Sequence, residues 1–146
     1  MNEGPPEAWC WETLRNLRWP VRVVCPNCRC LARRHHRKGY VRYYRCARCG
    51  RMFSDRTGTP FEGSRLPLGR WFRAVRWLLF DGAGSTAALA RTVGVNRKTA
   101  KAMQRRLAAL DRDPLLRSIG TRVLCWAPDA HVQNGVACDT VSDATR

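Results

Sequence analysis

Cys25-Pro26-Asn27-Cys28 and Cys46-Ala47-Arg48-Cys49 decide how this 146-residue chain is read. Seventeen residues separate the two Cys-x-x-Cys knuckles, a spacing inside the range of structural zinc sites. Each knuckle aims two sulfurs at one ion, and two knuckles complete a tetrahedron of thiolates. The expected metal ligands are Cys25, Cys28, Cys46 and Cys49, around one structural zinc ion. A closed tetrahedron leaves no position for water or substrate, so such an ion holds a fold and does not catalyse. Cys30 offers an alternative to Cys28, but the two-residue gap of the second knuckle favours Cys28.

The flanking sequence has the layout of a ribbon over residues 9–56. Residues 9–17 carry Trp9, Thr13, Leu14 and Leu17 at helical spacing, and Pro20 ends that helix. Residues 21–24 are β-branched and lead into the first knuckle; residues 40–45 are aromatic and lead into the second; Met52-Phe53-Ser54 is a return strand. Hairpins this small bury no core of their own and depend on the metal. Between the knuckles, Arg33, Arg34, Arg37 and Lys38 surround His35 and His36 in a basic loop. The loop is read either as a phosphate contact or as solvated charge. With four cysteines in place, the two histidines are surface residues. Tyr40, Tyr43 and Tyr44 either stack on unpaired bases or pack the hairpin, and packing is the commoner use.

After a turn-rich connector, Asp55-Arg56-Thr57-Gly58-Thr59-Pro60, residues 64–111 read as a three-helix bundle containing a helix-turn-helix. Leu68, Trp71, Phe72, Val75, Leu78 and Leu79 share one face of the first helix, which Gly82-Ala83-Gly84 ends. Ser85 caps a second helix over residues 86–93, and Asn96 caps a third over residues 97–110. Gly94 permits the positive φ of the tight turn between them. The third helix buries Ala100, Met103, Leu107 and Leu110. It leaves Arg97, Lys98, Lys101 and Arg105 outside, as a recognition helix does. The expected DNA contacts are Asn96, Arg97, Lys98, Thr99, Lys101 and Arg105, with Arg33, Arg34, Arg37 and Lys38 from the ribbon. The bland reading is a basic, solvated helix in a small bundle. Residues 112–146 are expected to be an irregular tail. The fold class is thus a small α+β chain: zinc ribbon, helical bundle, tail.

Charge supports a polyanionic partner. The chain has 27 Lys+Arg against 11 Asp+Glu, a formal charge of +16. Residues 15–111 hold 23 of the basic side chains and 4 of the acidic ones. Such a field concentrates and steers nucleic acid. Arg outnumbers Lys heavily, which suits bidentate contacts to phosphate and guanine but also follows from a GC-rich genome. The longest apolar run, Val123-Leu124-Cys125-Trp126-Ala127, is far below the ~20 residues of a membrane span. Eight cysteines without a secretory signal point to metal and reduced thiols in a cytoplasmic, nucleoid-associated protein, with Cys10, Cys125 and Cys138 as free thiols.

These stretches carry a family resemblance. Arg18-Trp19-Pro20, both knuckles and Tyr44-Arg45-Cys46-Ala47-Arg48-Cys49-Gly50 match, as do Ser64-Arg65-Leu66-Pro67-Leu68, Trp71, Gly94-Val95 and Thr99. Most specific is Met52-Phe53-Ser54-Asp55-Arg56-Thr57-Gly58-Thr59-Pro60-Phe61-Glu62. Over residues 9–111 the chain resembles the N-terminal region of zinc-ribbon DDE-class insertion-sequence transposases. The resemblance implies that these modules bind double-stranded DNA at transposon ends. It places catalysis in a following RNase H-like domain whose acidic residues hold two metals. The 35 residues after Asp111 are too few for a domain of ~100 residues. The expectation is therefore a truncated or frameshifted transposase with no catalytic residues, which is no enzyme by itself. Gly135-Val136-Ala137-Cys138-Asp139 resembles the segment of the first catalytic aspartate, but Thr140 replaces the family's Glu. The family's Gly after the second cysteine is Arg29 here. Homodimerisation, or pairing with full-length transposase, is a further expectation. The competing functions are a nonspecific nucleic-acid or RNA-binding ribbon and an inert relic.

Overall fold

The computed structural model describes residues 4–81 and 85–126. The connector Gly82-Ala83-Gly84 and the tail residues His131, Cys138, Asp139 and Thr140 lie outside the described residues. Helix α1 spans Glu7–Arg18. Strands β1 (Ala32–Lys38), β2 (Val41–Cys46) and β3 (Met52–Ser54) then form an antiparallel sheet in the order β1-β2-β3. Helix α2 (Leu68–Arg76) runs into a π-helical turn, Trp77–Asp81. Helices α3 (Thr86–Val93), α4 (Arg97–Arg106) and α5 (Pro114–Cys125) complete the order.

Two separate cores result. The large one gathers Leu14 of α1, Trp71, Phe72 and Val75 of α2, Leu89 and Val93 of α3, Ala100 and Met103 of α4, and Leu116 and Ile119 of α5. Helix α1 packs on α2 and α5, so it joins the helical core although it precedes the ribbon in sequence. Each fully buried Leu, Val or Phe contributes about 1.5–3 kcal/mol. The small core holds only Cys25, Tyr44, Cys46 and Phe53, edged by Trp19, Val23 and Ala32.

Local signals explain most element ends. Ser85 Oγ accepts from Ala88 N and Asn96 Oδ1 from Thr99 N, so both residues cap their helices. Gly94 turns between α3 and α4 at φ 83°, in the left-handed region. Pro67, before α2, has no side-chain acceptor to offer. Glu7 of α1 supplies one instead: its Oε2 accepts from Leu68 N at 2.6 Å and its Oε1 from Gly69 N at 2.9 Å. The carboxylate also sits well at the positive end of the α2 dipole.

Three expectations are corrected. The basic stretch Arg33–Lys38, read as a loop, lies in strand β1, which pairs with β2 through a register shift between Arg34 and His36. Its residues show no alternation because the strand is exposed almost throughout; the backbone ladder holds it, not a buried face. Residues 21–24 form no strand: only Val24 bridges to Leu31, and Val21 is 84% exposed. The tail is not irregular throughout, because residues 114–125 are helix α5. Asp113 Oδ1 accepts from Leu115 N and Pro114 opens the first turn, so the signal that ends one helix starts the next. α5 packs tightly enough that a Cβ on Gly120 would lie 2.3 Å from Leu79 Cδ1.

Candidate metal centre and nucleic-acid interface

The four knuckle sulfurs converge. The Sγ atoms of Cys25, Cys28, Cys46 and Cys49 all lie within 4.8 Å of one another. Cys25 Sγ is 3.7 Å from Cys49 Sγ, and Cys28 Sγ is 3.3 Å from Cys46 Sγ. Four thiolates at ~2.3 Å from a tetrahedral ion stand ~3.8 Å apart, so the group fits one metal ion. Cys30 stays outside it, where Arg48 Nη1 approaches its Sγ at 3.8 Å.

The knuckles are built alike. Asn27 N donates to Cys25 Sγ at 3.4 Å, and Arg48 N and Cys49 N donate to Cys46 Sγ at 3.3 Å. Arg29 N returns to Cys25 O, and Gly50 N to Cys46 O. The residue after each knuckle is left-handed: Gly50 at φ 75° and Arg29 at φ 66°. Arg29 thus adopts the glycine conformation at a cost of about 1–2 kcal/mol. The amides bias the thiols toward the charged form that binds metal. Cys46 is lowered to about 6, chiefly by the Cys49 amide, and Cys25 is lowered, first by the Cys28 amide. At Cys28 the Cys30 amide pulls down, but the neighbouring Cys46 sulfur and burial raise the thiol to about 12.

A second centre escaped the sequence reading. Asp55 is fully buried at the end of β3. Tyr44 Oη donates to its Oδ1 at 2.6 Å, and Trp19 Nε1 reaches the same oxygen at 3.4 Å. Arg15 Nε and Nη2 donate to Oδ2 at 3.3 and 3.2 Å, joined by the Arg42 backbone amide at 3.4 Å. Arg18 Nη1 donates to the Asp55 carbonyl at 2.7 Å. One carboxylate therefore ties α1 to the ribbon sheet. Burial first, then the bond to Asp55, raises the Tyr44 phenol to about 12. The connector beyond is equally structural: Thr57 Oγ1 accepts from Ser54 N, Glu62 Oε1 accepts from Gly58 N, and Arg106 Nη1 donates to Pro60 O and Glu62 O.

Two groups of basic residues stand apart. Arg15, Arg18 and Arg106 are engaged as described, Arg56 Nη1 donates to Ser64 O, and Arg70 Nη1 donates to Val93 O and Gly94 O. These arginines hold the fold. Arg97, Lys98, Lys101 and Arg105 are exposed on α4, with Thr99 half-buried and Asn96 spending its Oδ1 on the cap. Arg33, Arg34, Arg37 and Lys38 are exposed on β1. His35 and His36 are exposed beside them, with their Nδ1 atoms 2.8 Å apart. The His36 ring stacks on Tyr43 at 4.5 Å. Tyr44 packs the ribbon core, whereas Tyr40 is 47% exposed. Trp71 is core, Cys10 is buried, and Cys125 is exposed. No helix among the described residues is long and apolar enough to cross a membrane.

Comparison with known proteins agrees with this geometry. Residues 5–52 match the transposase zinc-ribbon domain. Over 102 residues, 67% of this chain, the sequence is 39% identical to an uncharacterized protein in transposable element ISH50 of Halobacterium salinarum. The chain spans 34% of that relative's length. No solved structure matches. Residues 5–52, which hold both knuckles and strands β1 and β2, are thus similar to a transposase zinc-ribbon domain and carry a cysteine cluster that fits one metal ion.

Proposed function

We propose that the chain is the DNA-binding part of a transposase, stabilised by one zinc ion, and that it recognises duplex DNA at transposon ends. Cys25, Cys28, Cys46 and Cys49 hold the zinc, which orders the ribbon and takes no part in bond chemistry. The observation that carries the reading is the exposed face of α4. It offers Arg97, Lys98, Lys101 and Arg105 and contains no acidic residue. It follows α3 through the left-handed turn at Gly94, as the second helix of a helix-turn-helix does. The N-terminal residues Asn96, Arg97, Lys98 and Thr99 reach base edges, while Lys101 and Arg105 hold phosphates. Arg33, Arg34, Arg37 and Lys38 of β1 add phosphate contacts, and no residue of the chain is assigned to strand cleavage or joining.

Paired substitutions test the division of labour. Arg97→Ala is expected to relax base preference at a cost of ~1–3 kcal/mol on the preferred duplex. Lys38→Ala should weaken all sequences alike and lower the salt slope by about one. Unchanged binding in Arg97→Ala would remove α4 from base reading. Binding without base preference at any salt would leave a general polyanion binder, as the basic strand β1 alone would make.

A further inference from the structure

We infer that the cleft between α1 and the β1–β2 turn is a subsite for one unpaired nucleotide of the bound DNA. The inference rests on the DNA-binding reading above and deepens it. The cleft holds about 350 Å³ and is lined by Trp11, Glu12, Asn16, Arg37, Tyr40 and Arg42, among others. That volume lies near the lower end of the ~300–1,000 Å³ range of small-molecule sites. It suits one nucleotide and excludes a duplex.

The walls match the parts of a nucleotide. Arg37 and Arg42 face each other across β1 and β2. Like charges directly opposite destabilise a sheet, so an anion between them removes a cost built into the hairpin. Among the described residues no side-chain or backbone acceptor takes a hydrogen bond from the Arg42 guanidinium, while its backbone amide donates to Asp55. Tyr40 offers a half-exposed ring at the turn, and every base stacks on such a ring. The turn is braced, because Arg15 Nη2 donates to Tyr40 O at 3.0 Å and Arg37 Nε to Gly39 O at 2.9 Å. A rigid platform loses little entropy on binding.

Glu12 and Asn16 give the cleft a preference. Both are exposed on α1 and line its far wall. A carboxylate repels phosphate, so Glu12 suits the edge of a base. It accepts from an exocyclic amino group, and Asn16 offers a donor and an acceptor beside it. Thymine has no amino group, so adenine, cytosine and guanine are favoured over it. The occupant is thus an amino-bearing base, flipped or frayed from the duplex, with its phosphate between Arg37 and Arg42.

Fluorescence anisotropy with the zinc-loaded chain tests this. The probes are a short blunt duplex and the same duplex with a single-stranded adenine, cytosine or thymine tail at either end. The expected result is about ten-fold tighter binding of adenine- or cytosine-tailed duplex, with a smaller gain for thymine. Tyr40→Ala and Arg42→Ala should each erase the gain and leave blunt-duplex affinity within about two-fold, while Tyr40→Phe keeps it. Zinc content and the circular-dichroism spectrum confirm that each variant is folded; Tyr40→Ala, at an exposed turn, decides if Arg42→Ala misfolds. No gain from any tail, or a gain that survives Tyr40→Ala, would overturn the subsite. Blunt-duplex binding with no tail effect would sink the subsite alone. A tail effect without blunt-duplex binding would sink the α4 reading alone.

Discussion

The ribbon sheet and the helical bundle hold themselves together by different physics. The bundle buries a continuous apolar core, from Leu14 through Phe72 and Leu89 to Ile119, and its helices are closed by caps. The sheet buries two cysteines, a tyrosine and a phenylalanine, and its strand β1 is a row of exposed cations. Its order rests on the backbone ladder, on a polar knot at Asp55 and on four cysteines placed to hold a metal. The contrast bears on function. A strand that gives only Ala32 to the core is free to carry exposed cations along most of its length. α4 must spend Ala100 and Met103 on the core and can offer only one face to a ligand.

The contrast can be broken experimentally, and metal removal should do so most strongly. Chelation, or Cys46→Ser, is expected to melt the sheet while the helical far-ultraviolet signal persists. Apparent zinc-binding energies in comparable modules are about 10–16 kcal/mol. Loss of helix and sheet in one transition would show that the two halves are a single cooperative unit. Phe72→Ala attacks the other half. It should cost about 4 kcal/mol in chemical denaturation without changing zinc stoichiometry, whereas loss of zinc in that variant would contradict two separate cores.

Asp55→Asn attacks the joint between them. It leaves Arg15, Trp19 and Tyr44 aimed at a neutral amide, and a loss of about 3 kcal/mol is expected. A thermal scan of this variant should separate the two halves; a single unshifted transition would deny the joint its role. The same knot gives a smaller dependence on pH. Because the Tyr44 phenol is raised to about 12 from an ordinary value near 10, its contribution is complete below pH ~10 and lost as pH rises toward 12. Tyr44→Phe should flatten that alkaline slope in a stability titration. The smallest effect is expected at Arg29, where glycine relieves the left-handed backbone. Arg29→Gly should stabilise the zinc-loaded ribbon by about 1 kcal/mol, and a destabilised variant would mean that the side chain makes up for its backbone.

The same comparison explains what the sequence discloses. Cys25, Cys28, Cys46 and Cys49 are legible because metal ligands come in local pairs with fixed spacing. α3 is legible to the residue because Ser85 and Gly94 mark its ends. The roles of Glu7 and Asp55 are not legible, because the α2 amides that Glu7 caps lie 61–62 residues away and the partners of Asp55 lie 11–40 residues away. Strand β1 hides because its pairing, not its residue types, makes it a strand. α5 hides because Asp113-Pro114 reads equally as an end and a beginning. The net charge likewise overstates the binding surface, since Arg15, Arg18, Arg56, Arg70 and Arg106 are spent on the fold.

The most direct test of the central claim, that α4 reads DNA sequence from a zinc-held scaffold, is a binding selection. Zinc-loaded protein would be exposed to a random duplex-DNA library at moderate salt and the retained molecules sequenced. An enriched motif, lost in Arg97→Ala, is the predicted result. Salt-sensitive retention with no motif would contradict the claim and leave a general polyanion binder.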